Sequence, residues 1–75
     1  VPQELLTRLK PRRSELAREG SVPAYVIFSD RTLIEMAKEQ PRNLREFEML
    51  HGVGAAKLER FGEVFLREIK AFEQG

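Results

Sequence analysis

Reactive side chains are few in this sequence. It contains one histidine, His51, and no cysteine, and it has no GxSxG motif, no Walker loop and no pair of histidines four residues apart. Catalysis requires several reactive groups that converge on one point. A histidine without a second histidine or a cysteine is more typical of a solvated turn residue than of a metal ligand. We therefore expect no catalytic residue, no metal site and no cofactor in this chain.

Two pairs of carboxylates, Glu46 with Glu48 and Asp30 with Glu35, have the residue type of an acid–base pair. Residues two positions apart on a helix point to different sides, and charged helix faces are usually solvated. We assign no reaction to these four residues.

The segment EMLHGVGAAKLERFG joins an apolar turn with two glycines to the start of a helix. Unpaired amides at a helix start can bind a phosphate. The segment therefore predicts a backbone phosphate turn at Gly52 and Gly54. Lys57 and Arg60, on the first two turns of the helix, would add charge without reading any base.

A structural interpretation of the same turn is somewhat favoured. In it, Gly52 and Gly54 only permit a tight connection between two helices, because glycine takes positive φ at little steric cost. Val53 then fills the core. Nearby acidic residues would oppose an approaching polyanion, and these are Glu46, Glu48, Glu59 and Glu63.

Tyr25, the only tyrosine, allows two interpretations. Its apolar neighbours at 26–28 favour core filling with a hydrogen-bonded hydroxyl. If its ring instead faces outward near Arg12 and Arg13, it can stack on one unpaired base, which is worth about 1–3 kcal/mol. A cluster of arginines is by itself most often a solvated helix face. The exposure of Tyr25 separates the two interpretations.

Length and charge limit the class of protein. Seventy-five residues make a single domain, 1–75, since two domains would not fit. The net charge of +1 argues against a strongly electrostatic nucleic-acid binder. Residues 1–20 carry a local charge of +2, whereas residues 43–75 carry −1. We expect any basic surface to be N-terminal, where the basic residues are Arg8, Lys10, Arg12, Arg13 and Arg18.

The sequence has no apolar run near the roughly 20 residues of a membrane span and no signal-peptide pattern. We expect a soluble, untargeted chain without a membrane partner. The lack of cysteine fits a reducing compartment, although many extracellular domains also lack it. Because the sequence starts at Val1, we expect a domain excised from a longer chain.

Proline and glycine divide the sequence into helical stretches without a strand pattern between them, which predicts an all-α fold. The first helix covers about 3–19 and ends before Gly20. Pro11 should kink this helix or restart it, because proline removes one helical hydrogen bond and clashes with the preceding turn.

Residues 21–30 form a dense apolar cluster that we interpret as one helical turn or a buried extended loop. Ser29 or Asp30 then caps a helix over about 31–39, and Pro41 ends it.

Asn43 followed by Glu46 has the spacing of a capping box, so a short helix should begin at Leu44. In a capping box the Glu46 carboxylate would reach back to the Asn43 amide. The inward candidates on this helix are Phe47, Met49 and Leu50.

The final stretch, about 55–73, has the strongest helical pattern, with apolar residues at spacings of three and four. Gly62 in its interior should cost up to about 1 kcal/mol relative to alanine, and a close approach by another backbone is the usual reason for such a glycine. The apolar stripe consists of Leu58, Phe61, Phe65, Ile69 and Phe72.

Three segments in this order, VPAYVIFSD, TLIEMAKEQP and LHGVGAAKLERFG, resemble the HRDC domain, a module at the C-terminal end of RecQ-type helicases and of ribonuclease D. The resemblance covers nearly the whole chain and is strongest over residues 22–66. The joint occurrence of VPAYVIFSD and GVGAAKLERFG is specific for this family, whereas a GVG tripeptide alone would be weak evidence for it. The similarity of VPAYVIFSD and LERFG favours a bacterial RecQ helicase over ribonuclease D as the parent, and hence a cytoplasmic, nucleoid-associated location.

The resemblance implies a compact five-helix bundle related to helix-hairpin-helix DNA-binding elements, with residues 22–28 as a short second helix. It also implies an accessory module without catalysis of its own that engages DNA or partner surfaces. Tyr25 matches an aromatic position implicated in single-strand DNA contact, beside basic residues of the first helix. Pro11 and the near-zero net charge differ from the family pattern.

Two functional hypotheses follow. The domain is a weak single-strand or junction-DNA binding module of a RecQ helicase, which uses phosphate contacts and one stacked base. Alternatively, it is a regulatory docking module that contacts the helicase core, another HRDC copy of the same chain or a partner protein. An exposed acidic or apolar patch would favour docking.

Overall fold

Five helices make up the regular structure of residues 2–74, the part of the chain that the computed structural model describes. In chain order they are α1 (Gln3–Glu19), α2 (Ala24–Ile27), α3 (Asp30–Glu39), α4 (Leu44–Glu48) and α5 (Ala55–Gln74). Residues 2–74 contain no strand. This architecture confirms the predicted all-α five-helix bundle.

Pro11 lies inside α1, which is a single helix from Gln3 to Glu19, so the predicted restart at Pro11 does not occur. The helix ends as predicted, before Gly20, whose amide donates to the carbonyl of Leu16 at 3.0 Å. Ser21 then takes a left-handed conformation, with φ of 54°, and turns the chain toward α2.

The apolar cluster of residues 21–30 contains one helical turn, α2, which was one of the two predicted alternatives. Ser29 caps α3: its hydroxyl accepts from the amide of Thr32 at 3.3 Å, and the helix starts at Asp30. Gln40 takes the left-handed conformation, with φ of 46°, and ends α3 just before Pro41.

α4 begins at Leu44, as the capping pattern predicted, and the Asn43 side chain accepts from the amide of Glu46 at 2.9 Å. The Glu46 carboxylate, however, accepts from the amide of Arg42 rather than that of Asn43. Phe47 and Leu50 are buried, three residues apart on one face. The inward prediction for Met49 is wrong, because this residue is 83% exposed on the other side.

Phe28 is the centre of the core. Its ring lies 5.2 Å from that of Phe65, 5.9 Å from that of Phe47 and 6.0 Å from that of Phe61, centroid to centroid. Tilted and edge-to-face arrangements at these distances are favourable for aromatic pairs. Phe28, which directly follows α2, thus packs against both α4 and α5.

Gly62 of α5 is buried where α4 packs on that helix. A Cβ at this position would lie 2.8 Å from Cδ2 of Leu44 and 3.2 Å from Cδ1 of Leu58. The close approach is therefore made by side chains, and not by another backbone as predicted.

Candidate nucleic-acid interface

Tyr25 projects from α2 with 69% of its surface exposed, and its neighbour Val26 is also exposed. The core-filling interpretation of Tyr25 is therefore wrong. α2 is a single turn whose inward residue is Ile27, and Phe28 follows directly in the core. Because residues two apart on a helix face different sides, burial of Ile27 turns Tyr25 outward.

A cleft of about 480 Å³ lies beside α2, between the C-terminal end of α1 and the first turns of α5. Lys57 and Arg60 line it together with one carboxylate, that of Glu19. The apolar side chains of the cleft are Leu16, Val22, Val26, Ile27, Ala56 and Phe61. The structure thus brings two of the predicted basic residues to the same side of the bundle as α2.

Lys57 and Arg60 cover aromatic rings of the core. The Lys57 Nζ lies 5.8 Å from the ring centroid of Phe28, and the Arg60 Cζ lies 5.2 Å from that of Phe61. Cations over ring faces at such distances gain about 0.5–1 kcal/mol at exposed sites. Long basic side chains pack their stems on apolar surface and keep their charged heads in water. These contacts hold both cations at the cleft.

Arg13 is not part of an exposed basic face, and this corrects the expectation from the sequence. Its side chain is only 11% exposed. One guanidinium nitrogen donates to the carbonyl of Phe28 at 2.9 Å, and another lies 2.8 Å from Oδ1 of Asp30. The helical spacing contained a signal for this burial, since Arg13 lies four residues from both Leu9 and Ala17, which are buried.

The other two N-terminal arginines of the predicted site are paired at the surface. Arg12 contacts Glu15 within α1, and Arg8 lies 3.7 Å from Glu68 of α5. Exposed ion pairs contribute only about 0–1 kcal/mol. Arg8 and Arg12 can therefore exchange these carboxylates for another anion at little cost in stability.

Backbone and side-chain contacts tie the glycine turn to α3. Gly52 has φ of 81°, as predicted for this tight turn. The His51 amide donates to the Glu35 carboxylate at 2.9 Å, and the Thr32 hydroxyl donates to the His51 carbonyl at 2.8 Å. The Glu35 carboxylate thus already accepts the hydrogen bond of one turn amide, that of His51. These contacts favour the structural interpretation.

Val53 is buried, and its amide donates to the Leu50 carbonyl at 3.3 Å. Gly54 does not take positive φ, and a Cβ there would meet no atom within 4 Å. Binding of a phosphate by Gly52 and Gly54 stays a prediction.

Three of the four carboxylates considered as acid–base pairs have structural contacts, and the fourth is exposed. Asp30 pairs with Arg13, Glu35 and Glu46 accept backbone amides, and Glu48 is exposed at the end of α4. Across residues 2–74, no three His, Cys, Asp or Glu residues form a group able to hold a metal ion. In the same range, no helix has the length and apolar character needed to cross a membrane.

Sequence reasoning missed a basic groove of about 670 Å³ between the start of α4 and the C-terminal half of α5. Its lining residues are Arg42, Asn43, Leu44, Arg45, Glu63, Leu66, Arg67 and Lys70. The summed charge of −1 over residues 43–75 concealed this cluster. Helical spacing places Arg67 and Lys70 on one side of α5, but only the packing of α4 adds Arg42 and Arg45.

Comparison with known proteins agrees with this architecture. The family model of the HRDC domain matches residues 3–69. The ATP-dependent DNA helicase RecQ of Bacillus subtilis is 46% identical over 69 residues, which are 92% of this chain and 12% of that protein. The ATP-dependent DNA helicase UvrD2 of Mycobacterium tuberculosis is 41% identical over 70 residues, 93% of this chain and 10% of that protein.

Among solved structures, the chain is similar to D. radiodurans RecQ HRDC domain 3, with a TM-score of 0.91 and 35% sequence identity. The match covers 95% of this chain and 93% of that one. By contrast, this chain spans only 12% of the B. subtilis helicase and 10% of the M. tuberculosis helicase. The five-helix structure, the family match over residues 3–69 and these relatives agree: the chain belongs to the HRDC domain family.

Proposed function

We propose that this HRDC domain is a non-catalytic accessory module of a bacterial RecQ-type DNA helicase, and that it binds single-stranded or junction DNA weakly. In this role it tunes the substrate choice of the parent helicase in DNA repair and recombination, in the cytoplasm at the nucleoid. The exposure of Tyr25, 69%, is the observation that carries the proposal. A tyrosine that contributes nothing to the core is free to stack on an unpaired base.

The charges near α2 support the same function. Lys57 and Arg60 line the cleft that Val26, next to Tyr25, also lines. Phosphates on either side of a base stacked on Tyr25 would contact these cations. Such contacts position a strand without reading its sequence. Binding therefore depends on DNA structure and salt rather than on sequence.

Arg8 and Arg12 extend this basic surface along α1. Each contacts an exposed or half-exposed carboxylate, which a DNA phosphate can replace. The proposed interface consists of Tyr25, Lys57, Arg60, Arg8 and Arg12. Its affinity as an isolated domain is low, but a tether to the helicase motor would raise the effective concentration of DNA at this surface.

Fluorescence anisotropy with a labelled single-stranded oligonucleotide tests the proposal. Tyr25→Ala should weaken binding by about 1–3 kcal/mol, and Tyr25→Phe, which keeps the ring, should retain most of the affinity. Both variants should unfold in urea at the wild-type midpoint, because the side chain is exposed. Absence of binding by the folded wild-type domain at low salt would contradict the proposal.

A docking role is the second candidate, and one surface favours it. Glu35, Glu39 and Glu46 line a pocket of about 290 Å³ together with Met49, which is 83% exposed. An exposed methionine among acidic side chains suits a basic, partly apolar surface of the helicase core or of another HRDC copy. The docking role is tested with a parent protein that lacks this domain. Isolated wild-type domain and its Glu39→Gln/Met49→Ala variant are each titrated into that protein, and only the wild-type domain should bind.

A further inference from the structure

The basic groove between α4 and α5 is separate from the Tyr25 surface. Lys57 and Arg60 belong to the first turns of α5, whereas Arg67 and Lys70 belong to its C-terminal half. The nearest members of the two clusters, Arg60 and Arg67, are seven positions apart, which is about 10 Å along a helix axis. The two basic clusters therefore share one helix but lie at different positions along it.

No carboxylate of residues 2–74 forms an ion pair with the cations of the groove. Within residues 2–74, ion pairs are formed by Arg8, Arg12 and Arg13, and by none of the four groove cations. Glu63 lines the groove, but it makes no ion pair with Arg67, four residues later. Glu46 lies at the Arg42 end, where its carboxylate accepts the backbone amide of Arg42. The groove retains an excess of positive charge.

The shape and lining of the groove suit a phosphate chain. Leu44 and Leu66 form apolar parts of its wall, and low-dielectric walls concentrate the field of like charges in a cleft. Three of the four cations are arginines, whose planar forks bind phosphate oxygens in pairs. Among residues 2–74, no aromatic ring lines the groove, so it lacks the ring platform that Tyr25 offers to a base.

We propose that this groove is a second DNA-binding site, which holds backbone phosphates through Arg42, Arg45, Arg67 and Lys70 without contacting bases. The inference rests on the proposed function, because charge alone would also suit an acidic peptide. Arg60 and Arg67 lie about two turns apart on one side of α5, so a strand that follows α5 from the Tyr25 surface reaches the groove, and this continuity favours DNA. The domain then holds a strand at two points, one by stacking and phosphate contact and one by phosphate contact alone.

An abasic oligonucleotide, which keeps the sugar–phosphate chain but lacks bases, separates the two sites. The groove variant is Arg45→Gln/Arg67→Gln, and both residues are exposed. The control is Arg31→Gln/Lys38→Gln, which removes the same charge from exposed positions of α3. The isolated domain is suitable for these assays, since a solved HRDC chain of nearly the same length has the same fold.

We expect the groove variant to bind the abasic strand at least about five-fold more weakly than the control, and to lower the slope of log K against log salt by about 1.4 for two lost cations. Tyr25→Ala should leave abasic binding unchanged and weaken only the base-bearing strand. Equal abasic binding by the groove variant and the control, or no abasic binding by wild type, would overturn the inference.

Two further outcomes are informative. Preferential binding of an oligoglutamate peptide of equal charge, lost in the groove variant, would assign the groove to a protein partner and overturn the DNA site. If Tyr25→Ala binds the base-bearing strand as tightly as wild type while the groove variant binds it more weakly, the proposed stacking on Tyr25 is refuted and the groove site is supported.

Discussion

The Leu44 side chain occupies the space that a side chain at position 62 would need. A Cβ on Gly62 would lie 2.8 Å from Cδ2 of Leu44. Glycine in a helix interior costs about 1 kcal/mol relative to alanine. In return, α4 seats against α5 closely enough for Arg45 and Arg67 to line one groove.

Gly62→Ala should change the free energy of unfolding by less than about 1 kcal/mol, because the gain in helix propensity offsets the displacement of the Leu44 methyl group, which ends a flexible, 37% exposed side chain. Leu44→Ala should relieve the clash, so a double-mutant cycle in urea should show a favourable coupling of at least about 0.5 kcal/mol. Additive effects of the two substitutions would contradict the contact.

Arg13 should act on stability rather than on DNA binding. Arg13→Ala leaves the buried Phe28 carbonyl unpaired, at a cost of about 1–3 kcal/mol. Asp30→Asn should cost less than about 1 kcal/mol, because Asp30 is mostly exposed and its ion pair is screened. Urea unfolding measures both. If Arg13→Ala kept full stability but lost DNA affinity, the role inferred from its burial would be wrong.

The two glycines of the turn should differ in their response to alanine. Gly52→Ala forces a side chain into positive φ, at about 1–2 kcal/mol, and brings its Cβ within 2.8 Å of the Thr32 hydroxyl oxygen. Gly54→Ala should change stability by less than about 1 kcal/mol, since neither obstacle is present there. Thermal or urea unfolding of both variants gives the comparison, and equal losses would contradict it.

Met49 and Phe47 test the burial pattern of α4. Met49→Ser should change the free energy of unfolding by less than about 0.5 kcal/mol, because the side chain is exposed. Phe47→Ala should cost about 3–5 kcal/mol, since it empties a site in the aromatic core. A large loss in Met49→Ser would mean that this residue is covered in the domain in solution.

Lys57 and Arg60 should contribute to DNA affinity mainly through charge. Lys57→Gln/Arg60→Gln should lower the salt slope of single-strand binding by about 1.4, and Arg31→Gln/Lys38→Gln should leave it nearly unchanged. Loss of the two cation–ring contacts should cost no more than about 2 kcal/mol of stability. Anisotropy titrations at several salt concentrations measure the slope. An equal decrease of the slope in both double variants would mean that only the net charge of the domain matters, and not the position of Lys57 and Arg60.

Local patterns were sufficient for most of the fold. Proline and glycine positions predicted where α1 and α3 end, the Asn43 spacing predicted the start of α4, and the apolar stripe predicted α5. These features depend on contacts within one or two helical turns, so a single segment of sequence contains them. The resemblance to the HRDC domain added the arrangement of the five helices, which local patterns do not specify.

The candidate site depended on contacts between distant segments. The sequence by itself determined that Tyr25, Lys57 and Arg60 are present, that few side chains could take part in catalysis and that no thiol is available. Only the tertiary structure decided that Tyr25 is exposed while Arg13 turns inward to the Phe28 carbonyl, fifteen residues away. Only helix packing placed Arg42 and Arg45 beside Arg67 and Lys70. Burial and charge clustering are set by which helix faces meet, and a sum of charges along the chain cannot contain that information.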